Sequence, residues 1–390
     1  MLSHVVIIQV ESSARVSIGP VQTQFFELDS PFTLESGEQL EQLRIAYETY
    51  GELNADASNA ILLFHALTGS HHAAGFNPEV NGVEDLWTDE CHVGWWDQFI
   101  GPGKALDTNQ FFVVCANYLG SCYGSTGPIS MNPATGKRYG NAFPRITAWD
   151  VVNSQLYLLN HLRIHQLHAV IGGSLGGMLA MLLATFCPNR VRTVIPIATG
   201  MQTTILQKIM NFEQIIAIRN DRDFKEGDYD LDQPPKQGLA LARMIAHKTF
   251  VSLADLERRA RQEITSHNLI GNFYALSHPV ESYMQYQGDK FAERFDANSY
   301  LRIMDLWQNF RLQDLPTRFQ DCAHQRYLLF SIDSDVCFYP EEQQAIVEEL
   351  KAHGIDVTYL TVHSELGHDS FLLEPELFSP YIQFILSGTD

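Results

Sequence analysis

One serine in this chain has the surroundings of a nucleophile. Ser174 lies in Gly172-Gly173-Ser174-Leu175-Gly176, a G-x-S-x-G pattern. The apolar run Ala169 to Ile171 precedes it, and a helix-compatible run, Leu175 to Phe186, follows. A strand-serine-helix junction of this kind closes only as a sharp turn. Small flanking residues let the backbone pass, and the hydroxyl is held at the positive end of a helix. Taken alone, the pentapeptide fits a Gly-rich turn with a surface serine equally well. A serine hydroxyl is a poor nucleophile at neutral pH and needs a base, itself oriented by a third group. In folds built around such a junction, an acid follows a late strand and a histidine follows the last one. The C-terminal region supplies that order. Tyr327 to Ile332 ends in Asp333-Ser334-Asp335, and Val357 to Val362 leads to His363 and, past Gly367, to His368. Asp333 and His363 abut their strands, whereas Asp335 and His368 lie beyond them in loops that can reach across. Ser174, Asp335 and His368 are therefore the preferred triad. An acyl-transfer intermediate also needs an oxyanion hole. Its donors are expected to be the N–H of Leu175 and that of Leu67, in the loop His65 to Gly69.

Other candidates carry less. His71-His72 and Cys91-His92 match no common zinc spacing and read as packing residues. Gly101-Pro-Gly103-Lys104 is too short for a phosphate-binding loop. Arg243 is set among Leu239, Leu241, Ala242, Met244 and Ile245. It is expected to point inward, where a guanidinium needs a carboxylate.

The elements that must position these residues follow from periodicity. Val21 to Leu28 and Leu43 to Thr49 have strand composition. Ala60 to Phe64, Phe111 to Ala116 and Thr193 to Ala198 are compact apolar runs that fit buried strands. Thr147 caps a helix from Ala148 to about Leu162. Residues 60–198 thus alternate as in a parallel, doubly wound sheet. Residues 75–110 form a long Gly/Trp-rich excursion, of a length that is usually functional. Strand signals then vanish. Thr203 to Ile218, Gly238 to Lys248, Leu253 to Glu263, Val280 to Arg294 and Ala297 to Gln308 all suit helices. Residues 1–199 and 315–390 are expected to form the core, and 200–314 a helical lid inserted into it. Glu341 to Ala352 and Pro375 to Leu386 read as closing helices.

Composition narrows the class. Lys and Arg total 26 against 46 for Asp and Glu, a formal net charge of -20. That argues against nucleic acid and anionic membranes as partners. The six cysteines form no C-x-x-C pair, which suggests reduced thiols and a cytoplasmic setting. Met1 to Gln9 lacks the basic and long apolar regions of a signal peptide, and no run is long enough to span a bilayer.

Beyond the triad, several stretches carry a family resemblance. They are His65-Ala-Leu-Thr-Gly69, Gly94-Trp-Trp-Asp-Gln-Phe-Ile-Gly-Pro-Gly103, Gly120-Ser-Cys-Tyr-Gly-Ser-Thr-Gly-Pro128, Tyr139-Gly-Asn-Ala-Phe-Pro144, Gly176-Gly-Met178, Gly238-Leu-Ala-Leu-Ala-Arg243, Ser334-Asp335 and Gly367-His-Asp-Ser-Phe371. With them the chain resembles homoserine O-acetyltransferases, the acyl-CoA-dependent branch of the α/β-hydrolase fold. The resemblance implies a mostly parallel sheet with helices on both faces and an inserted helical lid. It implies ping-pong transfer of an acetyl group from acetyl-CoA through Ser174 to the hydroxyl of L-homoserine, a step toward methionine. Acetyl-CoA is then a co-substrate, and no bound cofactor or metal is implied. By family pattern Arg243 and Asp369 hold the amino acid's carboxylate and ammonium, and the chain pairs as a homodimer through the lid helices. One position departs from the pattern. Val336-Cys337 follow Asp335, where acetyl-transferring members usually carry a bulky residue and Leu, and succinyl-transferring relatives an Arg in place of Cys337. Cys337 cannot pair with a succinyl carboxylate, which favours acetyl. A succinyl donor, a serine acceptor and plain esterase activity are the alternatives.

Overall fold

The computed structural model describes residues 18–262, 269–270, 274–276, 278–312 and 319–388. The leader reading at Met1 to Gln9, the helix end at Glu263 and the domain boundary at 314–315 lie outside the described residues.

Eight strands form the central sheet: β1 (Gln24–Leu28), β2 (Leu43–Tyr50), β3 (Ala60–Phe64), β4 (Phe112–Ala116), β5 (Leu167–Gly173), β6 (Val191–Ile197), β7 (Arg326–Ile332) and β8 (Asp356–Val362). Their spatial order is β1-β2-β4-β3-β5-β6-β7-β8. The β1–β2 and β2–β4 pairs are antiparallel, and every pair from β4 to β8 is parallel. Helices α1 (Ala148–His161), α2 (Leu175–Phe186), α8 (Pro340–Ala352) and α9 (Pro375–Leu386) accompany the sheet. Between β6 and β7 the chain runs through α3 (Ile205–Arg219), α4 (Lys236–Phe250), α5 (Leu253–Gln262), α6 (Pro279–Ala292) and α7 (Ala297–Gln308).

The inner strands are apolar along their whole length because both faces are covered. Side chains alternate between two cores, as the two-residue period of a strand requires. Leu62, Phe64, Val170, Val194 and Leu329 belong to one core, with residues of α1, α2 and α8. Ile61, Leu63, Ala169, Ile171, Ile195 and Phe330 belong to the other, with Phe378 and Ile382 of α9. Leu239 of α4, Phe291 of α6, and Tyr300 and Trp307 of α7 join the first core, so the helical insertion is seated on the sheet through apolar side chains.

Local chemistry fixes the element ends. Thr147 Oγ1 accepts the Asp150 N–H while Asp150 accepts the Thr147 N–H at 2.8 Å, a reciprocal cap at the start of α1. Asp150 also accepts the Glu35 N–H at 2.7 Å, which ties that cap to the N-terminal region. Thr204 and Gln207 cap α3 in the same reciprocal way. Pro occupies the first turn of α6, α8 and α9, where its missing N–H costs no intrahelical bond.

Candidate active site

Ser174 joins β5 to α2 with φ 57° and ψ −127°, a backbone region that costs energy for any side chain. The turn is so tight that α2 crosses its feeding strand closer than side chains permit. A Cβ on Gly172 would lie 2.2 Å from the Gly176 carbonyl oxygen, and one on Gly176 would lie 2.3 Å from that of Phe64. Two bonds hold the strained residue, one from β6 and one from just past its end. Its N–H donates to Ile197 O at 2.9 Å, and Thr199 Oγ1 donates to its carbonyl at 2.7 Å. Ser174 itself borders a cavity of about 170 Å³.

His368 borders the same cavity. Its Nδ1 bonds Asp335 Oδ2 at 2.6 Å, which places the proton on Nδ1 and leaves Nε2 as the free base. Nε2 is buried and has no partner among the described residues. The other Asp335 oxygen accepts the N–H groups of Cys337 at 2.7 Å and Phe338 at 2.9 Å. The carboxylate is thus fixed on both sides. Burial works against the His368 imidazolium, but Asp335, Asp369 and Glu342 together hold its pKa above the ordinary value. The rival residues pair with each other instead. His363 Nδ1 meets Asp333 Oδ2 at 2.8 Å on the exposed rim of the sheet.

Leu67 lies in the loop after β3 and lines the cavity with Ser174. Its N–H has no acceptor among the described residues. The loop is braced from below: the His65 ring stacks on Tyr118 with centroids 3.6 Å apart, and the Gly69 N–H donates to Ala66 O at 3.1 Å. Leu175 opens α2, so its N–H is beyond any intrahelical carbonyl. An imidazole with one nitrogen tied and the other free, next to a hydroxyl and two spare N–H groups, can take a proton and stabilise an oxyanion.

Arg243 and Asp369 line the same cavity. The Arg243 guanidinium lies between the rings of Phe250, at 5.2 Å, and Phe291, at 5.1 Å. Burial lowers its pKa, Arg294 adds to that, and Asp369 opposes it. Burial raises the Asp369 pKa, and His368 and Arg243 pull it back. The cavity therefore has Arg243 and Asp369 on its walls beside Ser174, a cation and an anion that together match a zwitterion.

Cys337 is placed differently from the rest. Its side chain is buried and is not among the residues lining the cavity. Its N–H serves Asp335, and its carbonyl accepts Gln207 Nε2 of α3 at 2.8 Å. Burial, then the Asp335 charge, pushes its thiol pKa well up.

Several residues of the site escape a motif reading. Arg294, at the α6–α7 junction, also lines the cavity. It is flanked by Phe291 and Phe295, the signal that marked Arg243. Glu342 of α8 stands behind the triad, and burial raises its pKa to about 7. Trp96, in the long Gly/Trp-rich excursion, donates its indole N–H to Phe371 O at 2.9 Å, so that excursion supports the turn carrying His368 and Asp369. His71 and His72 converge on Glu48 of β2. His72 Nδ1 lies 2.8 Å from its carboxylate, which also accepts from Tyr50 at 2.7 Å and Asn77 at 2.9 Å. Among the described residues no cluster of His, Cys, Asp and Glu is arranged to hold a metal ion.

Comparison with known proteins gives the same frame. A family profile described as alpha/beta hydrolase fold matches residues 59–375. The chain is 41% identical to a homoserine O-acetyltransferase of Geobacter metallireducens over 382 residues, covering 96% of this chain and 99% of the relative. It is 42% identical to a homoserine O-succinyltransferase of Saccharophagus degradans, covering 94% and 97%. Among solved structures, homoserine O-acetyltransferase from Bacillus anthracis superposes with TM-score 0.84 at 28% identity, covering 95% of this chain and 98% of that one. Esterase E22 superposes equally, with TM-score 0.84 and 28% identity, covering 94% and 100%. The chain belongs to the homoserine O-acetyltransferase family, within the alpha/beta hydrolase fold.

Proposed function

We propose that this enzyme transfers an acetyl group from acetyl-CoA to the side-chain hydroxyl of L-homoserine, through an acyl-enzyme on Ser174. The observation that carries the reading is the zwitterion-matching pair, Arg243 and Asp369, on the walls of the cavity that holds Ser174 and His368. A plain esterase needs no such pair.

In the first half-reaction His368 Nε2 takes the Ser174 proton as Oγ adds to the thioester carbonyl carbon. The oxyanion is met by the N–H groups of Leu67 and Leu175. Collapse expels CoA, whose sulfur receives the proton from His368. In the second half-reaction His368 takes the proton of the homoserine hydroxyl as that oxygen adds to the acyl carbon, and on collapse of the intermediate it returns the proton to the departing Ser174 Oγ. Asp335 keeps the Nδ1 tautomer and stabilises the imidazolium in both halves. Arg243 holds the carboxylate of homoserine and Asp369 its ammonium, which aims the hydroxyl at the acyl group. The helical insertion, residues 200–314, acts as a lid, and Phe250 and Trp307 give the cavity apolar walls that disfavour water.

An acetyl donor suits those apolar walls. A succinyl donor is the second reading, supported by the full-length relative of that activity and by Arg294 on the cavity wall. The six cysteines form no C-x-x-C pair, which suits a cytoplasmic enzyme, and a role in methionine synthesis agrees with the family. We further propose a homodimer formed through the lid helices. The test of the activity is CoA release from acetyl-CoA with and without L-homoserine, with Ser174→Ala as the blank. Release should depend on homoserine and vanish in the variant. Sustained release without an amino acid would make the enzyme an esterase.

A further inference from the structure

A second cavity, of about 290 Å³, adjoins the catalytic one. The two share Thr68, Gly69, Trp95 and Arg294 as a common wall. Thr68 and Gly69 belong to the loop that carries Leu67, whereas Arg294 comes from the helical insertion. This wall is where the insertion touches the oxyanion loop.

Arg294 is held in place by several contacts. Its Nη1 donates to Tyr123 Oη at 2.8 Å, and Tyr123 Oη donates back to Arg294 O at 2.7 Å. Its Nε faces Glu90 at 3.5 Å, and Glu90 also pairs with Lys290. The guanidinium lies 5.2 Å from the Phe291 ring centroid. From this position Nη1 also donates to the Thr68 carbonyl at 3.4 Å. The near end of the loop is fixed by His65, whose carbonyl accepts from Tyr118, and by the turn at Gly69. Beyond it, the Ser70 carbonyl accepts from Trp95 at 3.0 Å. At Thr68, next to Leu67, the Arg294 contact is the one anchor among the described residues.

We propose that Arg294 is the positioning residue of the oxyanion loop, pinning the Thr68 carbonyl so that the Leu67 N–H stays aimed at the developing oxyanion. An oxyanion donor works because it is oriented before the reaction, and freedom in its loop forfeits that advantage. The arrangement ties catalytic competence to the insertion: the ends of the oxyanion loop are held by the core, but its Thr68 carbonyl is held by Arg294 of the insertion. Acylation is thereby coupled to the state in which the cavity is shielded from water. The proposal deepens the acyl-transfer reading but rests only on Ser174 chemistry, so it can be tested with a neutral donor.

The test compares Arg294→Ala and Arg294→Lys with wild type. The first measurement is acylation by p-nitrophenyl acetate, which presents no charge for an arginine to bind. The second is the affinity of a small trifluoromethyl ketone. Ser174 Oγ adds to its carbonyl carbon, the proton passes to His368 and the oxygen becomes an oxyanion in the hole. The Ala variant should lose roughly 10- to 100-fold in acylation rate and a matching factor in ketone affinity. KM for acetyl-CoA and homoserine should stay within about twofold, because a misplaced donor disturbs the reacting geometry and not ground-state binding. Lys should restore part of the loss, and so should guanidinium ion added to the Ala variant. An unchanged melting temperature in the Lys variant guards against a folding defect. A rise in KM with kcat unchanged would make Arg294 a substrate ligand and overturn the proposal, as would unaltered ketone affinity. Should acetyl-CoA prove not to be a donor while ester acylation still depends on Arg294, the functional reading falls and the positioning role stands.

Discussion

At the scale of single residues, the chemistry is set by which groups the fold denies to water. His368 is 3% exposed and bonded on one nitrogen only. Three carboxylates raise its pKa against the effect of burial: Asp335 most, then Asp369, then Glu342. Glu342 is held between the Tyr339 N–H, at 3.1 Å, and Gln207 Nε2, at 3.3 Å. Its own pKa, raised to about 7 mainly by burial, means that it ionises near neutral pH. When ionised it favours the imidazolium, so it keeps His368 protonated to higher pH. Glu342→Gln removes that charge and lowers the His368 pKa. The acidic limb of the kcat/KM profile should therefore move to lower pH, with the plateau preserved. A limb that stays in place or moves up would show that Glu342 does not reach the base electrostatically.

At the scale of elements, the decisive feature is the crossing of β5 and α2. Ser174 is presented by geometry that leaves no room for a Cβ at Gly172 or Gly176. Gly172→Ala should displace the helix start. It should cost about 3 kcal/mol or more in urea unfolding, at the upper end of overpacking effects, and should lower activity with it. A fully active, equally stable variant would mean the crossing is looser than described. These elements were legible in the sequence because their signals are local. The β3 and α7 bounds, Thr147 as a cap and the Ser-Asp-His order can all be read from short runs of residues. What escaped depends on contacts between distant segments. Arg294 carries the same signal as Arg243, an arginine among apolar residues, but nothing local says that it reaches Thr68, 226 positions away. Glu48 is a lone acid in an apolar strand, and only the fold brings His71 and His72 to it. Cys337 illustrates the converse. Its position next to Asp335 is local, but whether its side chain faces the cavity is a matter of packing, and it does not line that cavity.

At the scale of the whole molecule, a chain with net charge -20 concentrates two arginines at one small cavity. Arg294 is taken up by Glu90, Tyr123 and Thr68, so Arg243 is the cation that marks where an anionic group is to be held. The outer surface carries a different signal. Ile205, Ile209 and Phe212 lie at helical spacing on α3 and are 73%, 51% and 56% exposed. An apolar stripe of this kind marks an interaction site, and it lies on the insertion through which dimerisation is proposed. Light scattering should find a dimer for the wild type and a monomer for the double variant Ile209→Asp, Phe212→Glu. A dimer that survives both charges would place the interface elsewhere.

The central claim is that Ser174 carries an acetyl group from a thioester to homoserine. The most direct measurement is product mass from a matrix of acetyl-CoA and succinyl-CoA against L-homoserine and L-serine. The account predicts O-acetylhomoserine as the dominant product, formed in step with CoA release and absent with Ser174→Ala. Dominant O-succinylhomoserine would overturn the choice of donor. Free acetate with no acylated amino acid would contradict the account as a whole.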